Sequence, residues 1–267
     1  MASMENLAPS LLHMAYNGDL LEMTKILAMN PTIIDCRDQS NLTPLMLAAA
    51  GRHLAQVRFL LEHGADLRLT DNCGEDALMK ACATRRNGEV IEALLDRGAS
   101  VNHVSESGRT PLIEAACLGD DENVFALLKW YPDVNHVTEN DETALTFAVV
   151  NGTTAVVRRL LAAGANVNWA DKGGSTPLIF AISEEEADKV RALLDANADP
   201  THRELYALRQ AVRTGNVEIM GMVASRCDAS AVRRMAEEVN AAGWGQIKNL
   251  LSRISGDQGP DAATDGT

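Results

Sequence analysis

The sequence predicts an all-α protein built from repeated helix pairs. A segment that begins with Thr or Asp and continues with Pro or Ala and then Leu recurs every 33 or 34 residues, and it starts at Thr43, Asp76, Thr110, Thr143 and Thr176. A Leu-Leu pair follows each of these segments at a similar distance. Hydrophobic residues make up 46% of the chain and aromatic residues only 4%, which suits closely stacked helices. A fixed period of this length is the signature of a repeat architecture.

Each recurring segment is predicted to begin a helix. Thr or Asp at its first position accepts a hydrogen bond from an unpaired amide of the first turn, and Pro suits the next position because no amide hydrogen is needed there. Counting back 33 residues from Thr43 gives Ser10, which is expected to begin the first helix of an N-terminal unit in the same way. The Leu-Leu pairs lie on apolar stripes spaced by three and four residues, which predict a second helix in each unit.

Glycine and asparagine predict where the second helix ends. Residues able to adopt the left-handed conformation follow four of the apolar stripes, at Gly64, Gly98, Gly164 and Asn197. Turn-forming residues then recur at Asn41, Gly74, Gly108, Asp141 and Gly174, which predicts a tight finger between consecutive helix pairs. One unit instead continues through Trp130, Tyr131, Pro132 and Asp133, so its helix exit is predicted to be irregular and aromatic.

These features resemble the ankyrin repeat family in period, helix start, helix end and finger, over roughly Ser10 to Pro200. The resemblance implies a curved solenoid of stacked antiparallel helix pairs, with short β-hairpin-like fingers on its concave edge. The family usually places His three residues after the Thr, and only His13 retains it. Hydrophobic contact is therefore expected to replace the hydrogen bonding between repeats that the family attributes to this His.

The predicted organisation has three parts. Residues 1–200 hold an N-terminal unit at about 8–37 and internal units at about 38–70, 71–104, 105–137, 138–170 and 171–200. Residues 201–254 are interpreted as degenerate C-terminal capping repeats; their 8 basic and 5 acidic side chains, a net of +3, leave a second binding surface as the alternative. Residues 255–267 are predicted to be a disordered tail.

The net charge and the cysteines indicate which kind of partner and which cellular compartment to expect. The net charge of −13 argues against nucleic acid as the main ligand and favours a partner protein with a basic surface. The five cysteines form no CxxC pair, and the chain shows neither a secretory signal nor a membrane-spanning apolar run. We therefore expect a monomer in the cytoplasm, with the nucleus as an alternative, that makes no contact with membranes.

No catalytic, metal or cofactor site is predicted. His103 and His136 occupy the same finger position, but stacked repeats lie about 8–10 Å apart, whereas a shared zinc needs each ring about 2 Å away. No phosphate-binding loop, nucleophile elbow or zinc-protease motif occurs. The acidic runs 120–122 and 184–186 are interpreted as solvated turns. A polypeptide-modifying enzyme would need a catalytic constellation within 201–267, which holds one Cys and one His.

A protein–protein interaction module, acting as adaptor, scaffold or regulatory binder, is the function that the resemblance implies. The predicted partner-binding residues lie on the fingers and inner helices: Leu42, Glu75, Arg109, Glu142, Lys172, His103, His136 and Trp169. Trp169 is expected to be an exposed hot spot, or alternatively to pack against the neighbouring finger. The alternative functions are an effector that acts on host proteins and a non-catalytic regulatory subunit of an enzyme complex.

Three asparagines carry a further implication of the resemblance. Asn102, Asn135 and Asn168 each follow Val and lie eight residues after a Leu, as does the ankyrin asparagine that an oxygen-dependent hydroxylase modifies in animal cells. They are candidate hydroxylation sites. The alternative is that each side chain closes a finger.

Overall fold

The computed structural model describes residues 7–241 and 245–254. Regular structure within these residues is entirely helical, with one 3-10 turn at Pro31–Ile33 and no strand. The α-helices, in chain order, are α1 Leu7–Asn17, α2 Leu20–Met29, α3 Pro44–Ala50, α4 Leu54–Glu62, α5 Ala77–Cys82, α6 Gly88–Asp96, α7 Pro111–Leu118, α8 Asp121–Leu128, α9 Ala144–Val150, α10 Thr154–Ala162, α11 Pro177–Ser183, α12 Ala187–Asp195, α13 His202–Thr214, α14 Val217–Ala224, α15 Ala229–Ala241 and α16 Gly245–Ile254. This confirms the predicted all-α fold class.

The chain divides into two compact units, Met1–Ala165 and Asn166–Thr267. In the first unit, helices pair along the chain from α1/α2 to α9/α10, and the first helices α1, α3, α5, α7 and α9 contact one another in succession. The second helices α4, α6, α8 and α10 form a parallel row. In the second unit the pairs are α11/α12, α13/α14 and α15/α16. Each unit is thus a stack of helix pairs, the arrangement of a helical repeat solenoid.

Side-chain caps fix where the first helices begin. The Thr43 hydroxyl accepts a hydrogen bond from the Met46 amide at 3.3 Å, and the Asp76 carboxylate accepts one from the Met79 amide at 2.9 Å. Thr110 and Thr143 cap α7 and α9 in the same way. Thr176 precedes α11 without such a bond. The recurring Thr or Asp therefore marks each helix start as predicted, and in four of the five units it also caps the helix.

The core lies between the two rows of helices. Leucines of the recurring segment, such as Leu78 and Leu112, and the first Leu of each pair, such as Leu94 and Leu127, are at most 1% exposed. Burial of a side chain of this size contributes about 1.5–3 kcal/mol, so the repeated leucines supply much of the folding free energy of each repeat.

The fingers are tight turns rather than paired strands. Each is closed by one backbone hydrogen bond across its base, as from Asp71 N to Glu75 O at 3.0 Å. The turn residues predicted from the sequence all have positive φ, from 60° at Asp141 to 77° at Gly174. Backbone hydrogen bonds also join consecutive fingers, from Asn72 N to Ser40 O and from Glu106 N to Cys73 O. The fingers therefore form a connected row within the first unit.

Two sequence expectations were wrong. Ser10 does not begin the first helix, because α1 starts three residues earlier at Leu7 and Ser10 lies inside it. Asp120 is not a solvated turn residue: it is 6% exposed, and its carboxylate accepts hydrogen bonds from the Asn123 and Arg86 amides at 3.0 and 2.9 Å. An acidic side chain at a helix start is stabilised there by unpaired amides, and this outweighs its preference for water.

The C-terminal helices bury apolar side chains. In α13 and α14, Leu208, Ala211, Ile219 and Met220 are fully buried, as is Leu251 in α16. Helix α15 ends at Ala241 and helix α16 begins at Gly245; residues 242–244 lie outside the described residues. The predicted disordered tail, 255–267, also lies outside them.

Candidate partner-binding surface

Lys80 is the centre of a charge cluster at the base of one finger. Its ammonium lies 2.6 Å from an Asp71 carboxylate oxygen and 2.5 Å from one of Glu75. Burial alone would raise the pKa of Asp71, but hydrogen bonds from Lys80 and from the Glu75 and Cys73 amides outweigh it and lower that pKa. The predicted binding residue Glu75 is thus fixed in position by a lysine from helix α5.

Arg109 forms a similar cluster at the base of the next finger. Its guanidinium donates a hydrogen bond to the Glu114 carboxylate at 3.2 Å and lies 4.7 Å from the centre of the Phe147 ring. Phe147 is only 6% exposed, because Arg109 and the adjoining helices cover it. A guanidinium stacked on a ring and paired with a carboxylate loses little further side-chain entropy when a partner binds.

These clusters and the half-buried Leu42 and Glu142 at the neighbouring finger bases define a surface that we call the finger face. Its residues are Leu42, Asp71, Glu75, Lys80, Arg109, Glu114, Glu142 and Phe147. Four carboxylates face two cations, so the finger face carries a net charge of −2. Four of the eight predicted partner-binding residues, Leu42, Glu75, Arg109 and Glu142, lie on it.

His103 and His136 act as links between fingers. The His103 ring Nε2 lies 2.7 Å from the Gly74 carbonyl oxygen, and that of His136 lies 3.0 Å from the Gly108 carbonyl oxygen. Each carbonyl belongs to the preceding finger, and both rings are half-buried. In the second unit the Arg203 guanidinium donates to the Gly173 carbonyl of its own preceding finger. Polar links between fingers therefore exist, although the helical His of the family is absent from the internal repeats.

The three candidate hydroxylation sites are exposed, and their amides are already engaged. Asn102 Oδ1 accepts a hydrogen bond from the Asp133 amide at 2.8 Å, and Asn168 Oδ1 accepts one from the Asp199 amide at 2.8 Å. Asn135 Nδ2 donates to the Gly164 carbonyl at 3.2 Å. Each side chain thus joins its own finger segment to that of the following repeat.

The remaining predicted residues belong to the second unit. Lys172 is exposed near the tip of its finger, whereas Trp169, expected to be an exposed hot spot, is half-buried. The residues of the finger face, by contrast, all lie in the first unit.

Sequence reasoning missed Asp71, Lys80, Glu114 and Phe147, although Lys80 and Glu114 leave a signal. Opposite charges recur five residues apart across the start of two consecutive first helices, at Glu75/Lys80 and, with the signs reversed, at Arg109/Glu114. Opposite charges that recur at the same two positions of consecutive repeats indicate an ion pair between the base of the finger and the following helix. Phe147 leaves no comparable signal, because its ring is positioned by a residue of the neighbouring repeat.

No group of three His, Cys, Asp or Glu side chains suited to holding a metal ion occurs among residues 7–241 and 245–254. In the same part of the chain, no helix is both long and apolar enough to span a membrane.

A stack of helix pairs that presents a row of linked polar fingers defines the class of helical repeat proteins. The profile for ankyrin repeats matches residues 11–105, 64–138 and 112–204, and the chain belongs to the ankyrin repeat family. The ankyrin repeat is a non-catalytic module that binds other proteins. The chain is therefore a protein–protein interaction module.

Solved structures with this fold include an ankyrin repeat domain from Acinetobacter baumannii, 34% identical with a TM-score of 0.64 over 71% of this chain and 98% of the other. A chain in the complex of a predatory endopeptidase from Bdellovibrio bacteriovorus with an immunity protein is 30% identical, with a TM-score of 0.62 over 69% of this chain and 96% of the other. The human ASB11 ankyrin repeat domain, at 24% identity, has a TM-score of 0.70 over 81% of this chain and 97% of the other.

Curated relatives match over a shorter region. A probable E3 ubiquitin-protein ligase of Oryza sativa is 40% identical over 106 residues, which is 38% of this chain and 20% of the relative. An ankyrin repeat domain-containing protein of Mus musculus is 34% identical over 96 residues, or 34% of this chain and 24% of the relative. The chain thus spans about a fifth to a quarter of the length of these relatives.

Proposed function

We propose that the chain is an adaptor, scaffold or regulatory binder that holds a basic segment of another protein on the finger face. The observation that carries this proposal is the pair of fixed charge clusters around Lys80 and Arg109, which leave the finger face at −2. A partner with Lys or Arg side chains is complementary to the excess carboxylates.

The geometry favours binding for two physical reasons. Ion pairs already formed with helix residues hold the finger-base side chains in place, so binding immobilises fewer of them. The hydrogen bonds that join consecutive fingers keep the carboxylates at a fixed spacing along the row. The overall charge of −13 also accelerates encounter with a basic surface, an effect that salt screens.

A pair of charge-reversal variants tests the proposal. The first is Glu75→Lys with Glu142→Lys on the finger face. The control is Glu62→Lys with Glu89→Lys, exposed residues on helices α4 and α6. Both variants change the net charge by the same amount, so any difference between them reports position and not long-range steering. Partners captured by the wild-type chain from its native cells provide the binding assay, after thermal unfolding confirms that both variants fold.

We expect the finger-face variant to lose at least about tenfold in affinity for the captured partner, as truncation of hot-spot residues does. The control variant should bind nearly as the wild type does. Equal binding by both variants, or a larger loss in the control, would contradict the proposal. A captured partner that binds the finger face through an acidic segment would contradict the proposed charge complementarity.

Regulation of an enzyme is a second candidate role. It is supported by the 30% identity to a chain in the complex of an endopeptidase with an immunity protein. If the captured partner is an enzyme, its activity should fall on addition of the wild-type chain and not on addition of the Glu75→Lys, Glu142→Lys variant. If the enzyme keeps its activity with the wild-type chain bound, only the adaptor role remains. Action as an effector on host proteins would instead require that the partner come from a second organism.

Several narrower assignments belong to this proposal. Residues 201–254 are proposed to cap the repeats, supported by the fully buried Leu208 and Leu251 and the exposed Arg209–Glu238 pair. Trp169 and Lys172 are proposed as additional contacts. The chain is proposed to be a non-catalytic monomer in the cytoplasm or nucleus, and its unpaired cysteines fit a reducing compartment. Hydroxylation of Asn102, Asn135 or Asn168 would appear as 16 Da additions after co-expression with such a hydroxylase.

A further inference from the structure

Tyr131 has a left-handed backbone conformation at the end of a second helix. It follows helix α8, and its φ is +51°. The same repeat position holds Gly64, Gly98 and Gly164 in the three other internal repeats of the first compact unit, with φ near +90°. Left-handed φ is costly for a residue with a Cβ, and the following Pro132 restricts the backbone of Tyr131 further. A glycine here would remove this strain.

The Tyr131 side chain contributes nothing to the core that would offset the strain, because it is 91% exposed. Backbone strain that packing does not repay is typical of functional positions. Folding therefore does not explain why a tyrosine occupies this position.

Two further aromatic side chains lie in the same short segment. Phe125 on α8 is 47% exposed and Trp130 is 39% exposed. The chain has only ten Phe, Trp and Tyr residues, so three within seven positions is a marked concentration. Trp and Tyr are the side chains most enriched at protein interfaces. We call Phe125, Lys129, Trp130, Tyr131, Arg158 and Arg159 the aromatic ledge.

The aromatic ledge contains three cations, and nearby carboxylates neutralise two of them. The Phe125 ring has the Lys129 ammonium 4.6 Å from its centre and the Arg159 guanidinium 4.8 Å from it. Glu92 neutralises Lys129 and Asp121 neutralises Arg159, at 2.5 and 2.6 Å. Arg158 is exposed and, among the described residues, has no ion-pair partner. The remaining acid on α8, Glu122, lies against Gly88 at the start of α6.

Hydrogen-bond donors are also left over on the ledge. Within the described residues, neither the Trp130 indole N–H nor the Tyr131 hydroxyl has a hydrogen-bond partner. Together with Arg158, on the helix that packs beside α8, they offer donors to a partner. We infer that the aromatic ledge is a second docking surface, and that its occupant is a segment of another protein with a carboxylate beside a large aliphatic or aromatic side chain.

The test uses the full chain and a random 12-residue peptide library displayed on phage. Peptides selected on the wild type are synthesised and their affinities measured for the wild type and for Tyr131→Asn. Asn is chosen because Asn197, at the equivalent repeat position of the second unit, has φ +63°. Trp130→Ala is a second ledge variant. Tyr16→Ala, which removes another exposed tyrosine, and Glu75→Lys with Glu142→Lys on the finger face are the controls.

We expect a class of acidic, apolar-containing peptides that lose at least tenfold in affinity for Tyr131→Asn and Trp130→Ala and keep their affinity for both controls. Replacing Asp or Glu of such a peptide by Lys should abolish its binding. The unfolding temperature of Tyr131→Asn should equal or exceed that of the wild type, so that lost binding cannot be attributed to lost folding.

Three outcomes would overturn the inference. In the first, all selected peptides bind Tyr131→Asn as tightly as they bind the wild type. In the second, the peptides that depend on the aromatic ledge are basic. In the third, sedimentation shows a wild-type dimer that Tyr131→Asn dissociates, because the occupant would then be a second copy of the chain. Since the finger-face variant is measured in parallel, failure of this inference is distinguishable from failure of the proposed function.

Discussion

The first compact unit holds two similar arginine clusters on its two rows of helices. On the finger face, Arg109 pairs with Glu114 and stacks 4.7 Å from the Phe147 ring. On the aromatic ledge, Arg159 pairs with Asp121 through two hydrogen bonds and stacks 4.8 Å from the Phe125 ring. The chemistry is the same in both clusters, whereas the exposure of the ring differs: 6% for Phe147 and 47% for Phe125.

The difference in ring exposure gives the two arginine clusters different roles. The buried ring of Phe147 is packed against neighbouring repeats, so its arginine and carboxylate are held on a rigid base and present charge to a partner. The half-exposed ring of Phe125 retains apolar surface that a partner can cover. The finger face is thus suited to recognition of charge, and the aromatic ledge to apolar contact.

The largest expected effect comes from removing the two rings. Phe147→Ala should lower the free energy of unfolding by about 3–4 kcal/mol, because it leaves a cavity beside buried helices. Phe125→Ala should cost less than about 1 kcal/mol, since half of the ring is already in water. Urea unfolding of both variants measures the difference. Equal losses would mean that the two rings do not differ in structural role.

The ion pairs give a smaller contrast. Glu114→Gln should cost about 1 kcal/mol, because the carboxylate is largely shielded from water, whereas Asp121→Asn should cost at most about 0.5 kcal/mol after solvent screening. The same urea titrations apply, with Glu89→Gln as a control; this exposed carboxylate has no ion-pair partner within residues 7–241 and 245–254. A larger loss for Asp121→Asn would reverse the proposed ranking.

The contribution of Asp121 should depend on pH in one direction. The hydrogen bond from Arg159 lowers the pKa of Asp121 from its ordinary 3.8 despite partial burial. A lowered folded pKa gives stability that is present above the unfolded pKa and lost as pH falls through the folded one. The difference between the wild type and Asp121→Asn should therefore persist at pH 5–7 and shrink below pH 3.8. A difference that grows on acidification would contradict this pairing.

Asp76, at the start of α5 beside the finger face, should show the opposite dependence. Burial raises its pKa above 3.8, so at neutral pH its charged form costs stability, and this cost disappears as pH falls through the raised folded pKa. Asp76→Thr keeps a cap of the kind used by Thr43 and Thr110 and removes the charge. We expect a gain in stability at pH 7 that vanishes below pH 3.8. Asp76→Ala, which removes the cap as well, should instead be destabilising by about 1 kcal/mol.

Local signals made most of the fold predictable. Cap residues, prolines at helix starts and left-handed turn residues act within a few positions of the chain, so Thr43, Gly64 and Gly74 mark their elements in the sequence itself. Ser10 misled because the same residue type also occurs inside helices. Asp120 misled because its acceptors are satisfied by the amides of Asn123 and of Arg86, 34 residues away.

The candidate surfaces were less predictable from the sequence because they depend on contacts between residues far apart in the chain. Finger positions such as Glu75 and Arg109 follow from repeat register, whereas their helix partners depend on geometry across the finger base. The exposed rings of the ledge could not be told from core aromatics, because burial is set by neighbouring repeats. The irregular exit at Tyr131 was visible, but its left-handed backbone was not.

Amide hydrogen exchange of the chain, alone and bound to a captured partner, shows which surface the partner covers. We predict slower exchange in the complex at the finger amides of residues 71–75, 105–109 and 138–142, and also in a basic segment of the partner. Finger amides that exchange at the same rate with and without the partner, while residues 121–131 alone become protected, would contradict the assignment of the finger face as the main binding surface.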